Sequence, residues 1–155
     1  MSRLGRAMLM LSIAVVMTSV PVPTGASDDA PGEALSIGTL GSEELQSLPY
    51  VCECEFFRGP ITGATTVFAT REQRKLGLAK IDGRPVRLRR EGGEALSGCR
   101  PRSRYRERWV DGSTSLVLDL HATGPGAESC WYEGTMSVTV GRRRGVASVS
   151  GACGW

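Results

Sequence analysis

The chain has 155 residues, with 19 Lys and Arg against 16 Asp and Glu, five cysteines and a single histidine. The formal charge of +3 is small, and part of it comes from Arg3 and Arg6 near the start, so charge alone excludes a broad nucleic-acid-binding field. One histidine and scattered cysteines exclude the common zinc sites, which gather three or four ligands at tight spacing.

Residues 1–26 read as a signal peptide. Arg3 and Arg6 precede the apolar run "MLMLSIAVVMTSV", and Thr24 and Ala26 supply small residues at the −3 and −1 positions of a cleavage site. The run is short and is followed by Pro21 and Pro23, so it predicts no spanning helix, and no later segment predicts one. No cysteine sits near the cleavage site to carry a lipid anchor. Export predicts a secreted or periplasmic protein, in a compartment where disulfides persist. About 130 residues remain, one domain of ordinary size able to bury a core.

Residues 27–48 read as an acidic, largely disordered lead-in. "GSEELQSLP" within it predicts a short helix capped by Ser42, with Glu43 and Glu44 at its positive end and Pro49 as its stop. Residues 49–155 form the β-domain. Strand-like runs fall near 50–57, 64–69, 76–81, 84–90, 103–110, 113–121, 131–140 and 145–153. "KIDGRPV" and "WVDGSTS" each set Asp-Gly between two runs, a strong hairpin signal because a type I′ turn needs positive φ at both central residues. "TVGRRRGVAS" predicts a third hairpin. Turns this close together predict an all-β fold, a single antiparallel barrel or sandwich of about eight strands.

A loop at Asp111-Gly112 would set Tyr105 opposite Leu118, Trp109 opposite Thr114 and Arg104 opposite Asp119, with Leu116, Leu118 and Leu120 on the core face. Pairing Val140 with Gly145 would set Gly134 against Gly151 and Tyr132 against Cys153.

"YVCECEFF" carries the densest chemistry. On a strand, Tyr50, Cys52, Cys54 and Phe56 share the core face and Glu53 and Glu55 the other. Two cysteines at i and i+2 lie about 6.5–7 Å apart, too far for an easy mutual bond. All five cysteines, Cys52, Cys54, Cys99, Cys130 and Cys153, are therefore disulfide candidates. Closure of the sheet brings its first and last strands together, so one of the close pair should bond Cys153, with Cys54 favoured. Cys52 would then bond Cys99 or Cys130, leaving one thiol free.

"RPRSRYRER" spaces Arg100, Arg102, Arg104, Arg106 and Arg108 two apart. On a strand they make one guanidinium stripe, a candidate surface for an anion or an acidic partner. The competing reading is a solvated face balanced by Glu91, Glu94 and the seven acids of residues 27–57. Glu107 breaks the pattern by falling on the leucine face. A buried carboxylate there would be costly, and a position at the rim, reaching water, is the simpler reading. His121 has no nucleophile or carboxylate motif beside it. No catalytic residue, metal ligand or cofactor site is predicted.

"LAKIDGRPVRL", Ser97-Gly98 and "SRYRERWVDG" together resemble the periplasmic C-type lysozyme inhibitors over about 50 residues. The resemblance implies a small exported β-barrel with a disulfide from the first strand to the chain end. It also implies an inhibitory loop that enters the enzyme's cleft, with Ser97, Arg104 and Tyr105 as the residues to watch. Cys99 to Ser103 separate Ser97-Gly98 from Arg104-Tyr105, whereas the family keeps these motifs close, and the extra cysteines are a further departure. The expected function is that of a non-enzymatic exported binding or envelope-associated protein, with a protein or acidic polymer as partner and no specific nucleic acid. Lysozyme inhibition is the alternative. A hydrolase using a carboxylate such as Glu107 is the competing class.

Overall fold

The computed structural model describes residues 33–48, 53–59, 65–71, 73–93, 96 and 99–154. The residues expected to form a signal peptide, and Tyr50, Cys52, Ser97 and Gly98, lie outside these. In chain order the elements are β1 (Ile37–Gly38), α1 (Ser42–Gln46), β2 (Cys54–Arg58), β3 (Thr66–Arg71), β4 (Leu76–Ile81), β5 (Arg84–Gly93), β6 (Arg104–Asp111), β7 (Thr114–Pro125), β8 (Ser129–Val140) and β9 (Arg143–Gly154). From β2 to β9 each strand pairs antiparallel with the next, and β9 pairs back onto β2. The result is a closed eight-stranded up-and-down barrel rather than a sandwich. Closure leaves none of the eight strands as a free edge, the feature that exposes open sheets to aggregation. Among the described residues, no helix is long and apolar enough to cross a membrane.

Alternation fills the barrel. Phe56, Phe68, Trp109, Leu116, Leu118, Met136 and Val138 all point inward and are fully buried. Phe68 meets the Trp109 ring edge-on at 5.2 Å between centroids, a geometry that adds about 0.5–1.5 kcal/mol to burial. The three leucines of β7 face the core as expected. The first Asp-Gly is a type I′ loop, with Asp82 and Gly83 both at positive φ and Ile81 paired to Arg84.

The other two hairpins differ from expectation by one residue in the placing of the loop. At the second Asp-Gly the loop is Gly112-Ser113, closed by Asp111 and Thr114, with only Gly112 at positive φ, the type II′ pattern. Tyr105 therefore faces Leu120, Trp109 faces Leu116, and Asp119 faces Arg106 instead of Arg104. At the last hairpin Val140 pairs with Arg143, so Tyr132 meets Gly151 and Cys130 meets Cys153. Gly134 and Gly151 do not oppose one another. Each still marks a close approach: a Cβ on Gly151 would come within 2.5 Å of the Phe56 ring.

Cys54 bonds Cys153, joining the first and last barrel strands. The second bridge corrects the expectation: Cys99 bonds Cys130, not Cys52. Cys54, Cys153 and Cys130 are register neighbours across β2, β9 and β8. Cys130 turns from this row to the loop between β5 and β6, which holds Cys99. The bridges span 99 and 31 residues of chain, worth about 4.7 and about 3.7 kcal/mol on the chain-entropy account. Two bridges in a small barrel fit an oxidising compartment.

The lead-in packs rather than trails, from Glu33 on. Leu35 and Ile37 enter the main core. Asp82 accepts a hydrogen bond from the Ser36 backbone N–H at 2.9 Å and pairs with Arg143 at 2.7 Å, contacts that hold its carboxyl below the usual range. Leu40, Leu48, Ala69 and Leu78 form a second, smaller cluster outside the barrel, with Leu45 of α1 against it. Gly41, not Ser42, is the N-cap of α1, and its N–H donates to Glu44 Oε2 at 2.6 Å.

A candidate anion-recognition face and a buried carboxylate

Strand β6 presents opposite chemistry on its two faces. Arg104, Arg106 and Arg108 point out and are exposed; Tyr105, Glu107 and Trp109 point in and are buried. The stripe on the strand is thus three arginines long. Arg100 and Arg102 precede it in a turn, where Ser103 N–H donates to Arg100 O and Arg102, at φ 69, donates its N–H to Ala122 O.

The three strand arginines line an open groove of about 610 Å³, together with Gly93, Tyr105, Val117 and Asp119. A bulge in β5 between Arg90 and Gly92 brings two glycines alongside, Gly92 against Arg108 and Gly93 against Glu107. Gly93 has φ +113, and a Cβ there would come within 2.0 Å of the Arg106 carbonyl oxygen. Only glycine fits, and neither glycine covers the arginines with a side chain.

Arg108 is occupied: its Nε lies 3.1 Å from Glu91 Oε2 and donates to Ser115 Oγ at 3.3 Å. Among the described residues, the side chains of Arg104 and Arg106 have no hydrogen-bond or ion-pair partner. Of the acids expected to offset the stripe, Glu91 does so at Arg108, while two of the N-terminal acids are engaged elsewhere. Glu44 pairs with Lys80, and Glu53 accepts hydrogen bonds from the backbone N–H groups of Gln73 and Arg74. Asp119 is the direct neighbour of Arg106 in register but makes no ion pair with it.

Continuing outward across the sheet, Arg104 aligns with His121, His121 with Glu133, and Glu133 with Ser150. A second groove of about 410 Å³ lies here, lined by Gly59, His121, Glu133, Gly134, Ser148, Val149 and Ser150. Ser150 is buried and donates its hydroxyl proton to Gly59 O at 2.5 Å. Glu133 stands between Ser150 and His121, so the histidine does not neighbour that hydroxyl in the order a serine–histidine–carboxylate triad needs. Among the described residues, no three His, Cys, Asp or Glu side chains gather as metal ligands.

Inside the barrel, Glu107 is 1 % exposed, which corrects the rim position expected for it; its partner across the sheet is Leu118, well below the hairpin. Arg90 Nε lies 3.2 Å from Glu107 Oε1. That is an ion-pair separation, but the N–H is not aimed at the oxygen, and neither carboxyl oxygen has a well-directed hydrogen bond among the described residues. Burial pushes the Glu107 carboxyl up; the Arg90 and Arg74 guanidiniums and the nearby N–H groups of Leu96 and Trp109 only partly offset it. Arg74 also donates to Leu96 O.

Of the trio carried by the resemblance, Arg104 is exposed and Tyr105 is turned inward, edge-on to Tyr132 at 5.6 Å. Ser97 lies outside the described residues. Arg74 and Arg90 were not singled out from the sequence. Arg90 had a readable signal, because Val86, Leu88 and Arg90 fall on one face of β5. Arg74 had none: its placement follows from two successive left-handed residues, Gln73 and Arg74, which nothing in "REQRKLG" announces. No family model matches the chain, and no curated protein or solved structure matches it.

Proposed function

We propose that the protein is an exported, non-enzymatic binding barrel that recognises a carboxylate-bearing partner on the outer face of β6. The observation that carries this reading is a pair of arginines, Arg104 and Arg106, whose side chains have no partner among the described residues, on an open groove that Gly93 lines without a side chain. Free guanidiniums match carboxylates in a two-pronged geometry that a lysine does not supply. The leader and the two bridges support a secreted or periplasmic location. Cleavage near Ala26 is checked by N-terminal sequencing, which should begin at Ser27 and not at Met1.

The binding test is retention of the oxidised protein on an immobilised carboxylate polymer as salt is raised. Retention should fall steeply, since exposed contacts are screened within about 8 Å at physiological ionic strength. Retention unaffected by Arg104→Ser with Arg106→Ser would remove the proposal.

Lysozyme inhibition remains the second reading. It is favoured by the closed barrel with its first-to-last bridge, a combination that the resemblance implies. Inhibition of a purified C-type lysozyme, lost on Arg104→Ser, would establish it. The hydrolase reading has less support, because Glu107 is enclosed and lines neither groove.

A further inference from the structure

The partner's class follows from what lies beside the arginines. We infer that the outer face from β6 to β9 is a binding strip for an acidic polysaccharide, a glycan whose sugar rings carry carboxylates. This rests on the β6 reading above and names its ligand.

Three features of the surface select a glycan. The first is the placing of the two grooves on either side of β7: Asp119 lines one and His121, two residues on, lines the other. From Arg104 through His121 and Glu133 to Ser150, each step crosses one strand spacing of about 4.8 Å, so the row runs about 14 Å across the sheet. That length accommodates a few sugar rings lying across the strands.

The second feature is the chemistry of the row. Arg104 and Arg106 supply fixed donors for carboxylates. Asp119 and Glu133 supply acceptors, which suit hydroxyl groups and repel anions. His121 and Ser148 both donate and accept. A polymer charged at every point, such as a nucleic acid, meets Asp119 and Glu133 as unfavourable neighbours. A ligand that alternates carboxylates with hydroxyls meets partners along the whole strip.

The third feature is what the surface lacks. Protein partners are anchored by buried aromatic and other large apolar side chains. Among the described residues, the only large hydrophobic side chain that is exposed is Val146. A hydrated, hydroxyl-rich ligand needs no such anchor.

The test compares four soluble polymers on the full oxidised protein by titration calorimetry at low salt: polygalacturonate, poly-L-glutamate, neutral dextran and dextran sulfate. Polygalacturonate should bind best, poly-L-glutamate and dextran sulfate more weakly, and dextran not at all. Arg104→Ser with Arg106→Ser should weaken polygalacturonate at least about tenfold, as loss of charge-assisted contacts does. His121→Ala with Ser148→Ala, which removes hydroxyl partners without removing an acid, should weaken it several-fold and leave poly-L-glutamate unchanged. A circular-dichroism spectrum and melting curve matching wild type show that each variant is folded.

Equal binding of poly-L-glutamate and polygalacturonate, both lost with the arginines, overturns the glycan inference and keeps the carboxylate reading. Polygalacturonate binding that ignores His121→Ala with Ser148→Ala overturns the strip across β7 to β9. Failure of every anionic polymer to bind overturns both readings.

Discussion

The two faces of β6 put the same residue type to opposite uses. Inward, the buried Glu107 carboxylate lies near Trp109 and takes the partly exposed Arg90 of β5 as its ion-pair partner. Outward, the Arg104 and Arg106 side chains stand in solvent without a partner among the described residues. An arginine tied to the fold costs stability when removed; an arginine free of it costs only what it does for a ligand. Residues one apart on a strand thus divide between holding the barrel and meeting a partner.

The largest expected effect is on the inner face. Trp109→Ala removes the ring packed against Phe68 and should cost about 3–5 kcal/mol, the range for large aromatic deletions in cores. Urea unfolding measures it. A cost below about 1 kcal/mol would show that the inner face of β6 is not part of the core.

Arg90→Met comes next. It leaves Glu107 buried without its nearest countercharge, and breaking such pairs costs about 3–5 kcal/mol when both partners are enclosed. Arg90 is partly exposed, so the lower end applies at neutral pH. The cost should shrink near pH 4, where Glu107 is protonated. A loss that does not change with pH would mean that Arg90 acts through packing alone.

Glu107→Gln sharpens the same contrast with a smaller effect. Because the folded carboxyl is raised above its ordinary value, its contribution to stability is fully present below the unfolded pKa, about 4.3. It is lost as pH rises through the folded value. The glutamine variant should therefore gain on wild type as pH rises from 4 to 7. Asp82 and Glu44, both held low by their partners, lose stability as pH falls in either protein and cancel in the difference. A difference that stays flat over this window would contradict the raised carboxyl.

Much of this division was legible in the sequence because a strand's side chains alternate with period two. Two of the three hairpin loops fell one residue from their expected places, which moved each partner across those hairpins by two and left each residue on its own face. Hence Tyr105, Trp109 and the three leucines faced inward as expected, and Arg104, Arg106 and Arg108 outward, while Asp119 moved from Arg104 to Arg106. Cys54 found Cys153 because closing the sheet brings its ends together. What stayed hidden depends on local breaks in regularity. The bulge at Arg90, the left-handed turn at Gln73-Arg74 and the loop that carries Cys99 to Cys130 decide what surrounds Glu107, and no periodicity encodes them.

The most direct test is a paired measurement on Arg104→Ser with Arg106→Ser: the urea midpoint and the affinity for polygalacturonate, in one buffer at low salt. Exposed, unpartnered side chains should change stability by no more than about 0.5 kcal/mol, while affinity falls at least about tenfold. A variant that unfolds more easily and still binds would show that these arginines belong to the fold and not to recognition.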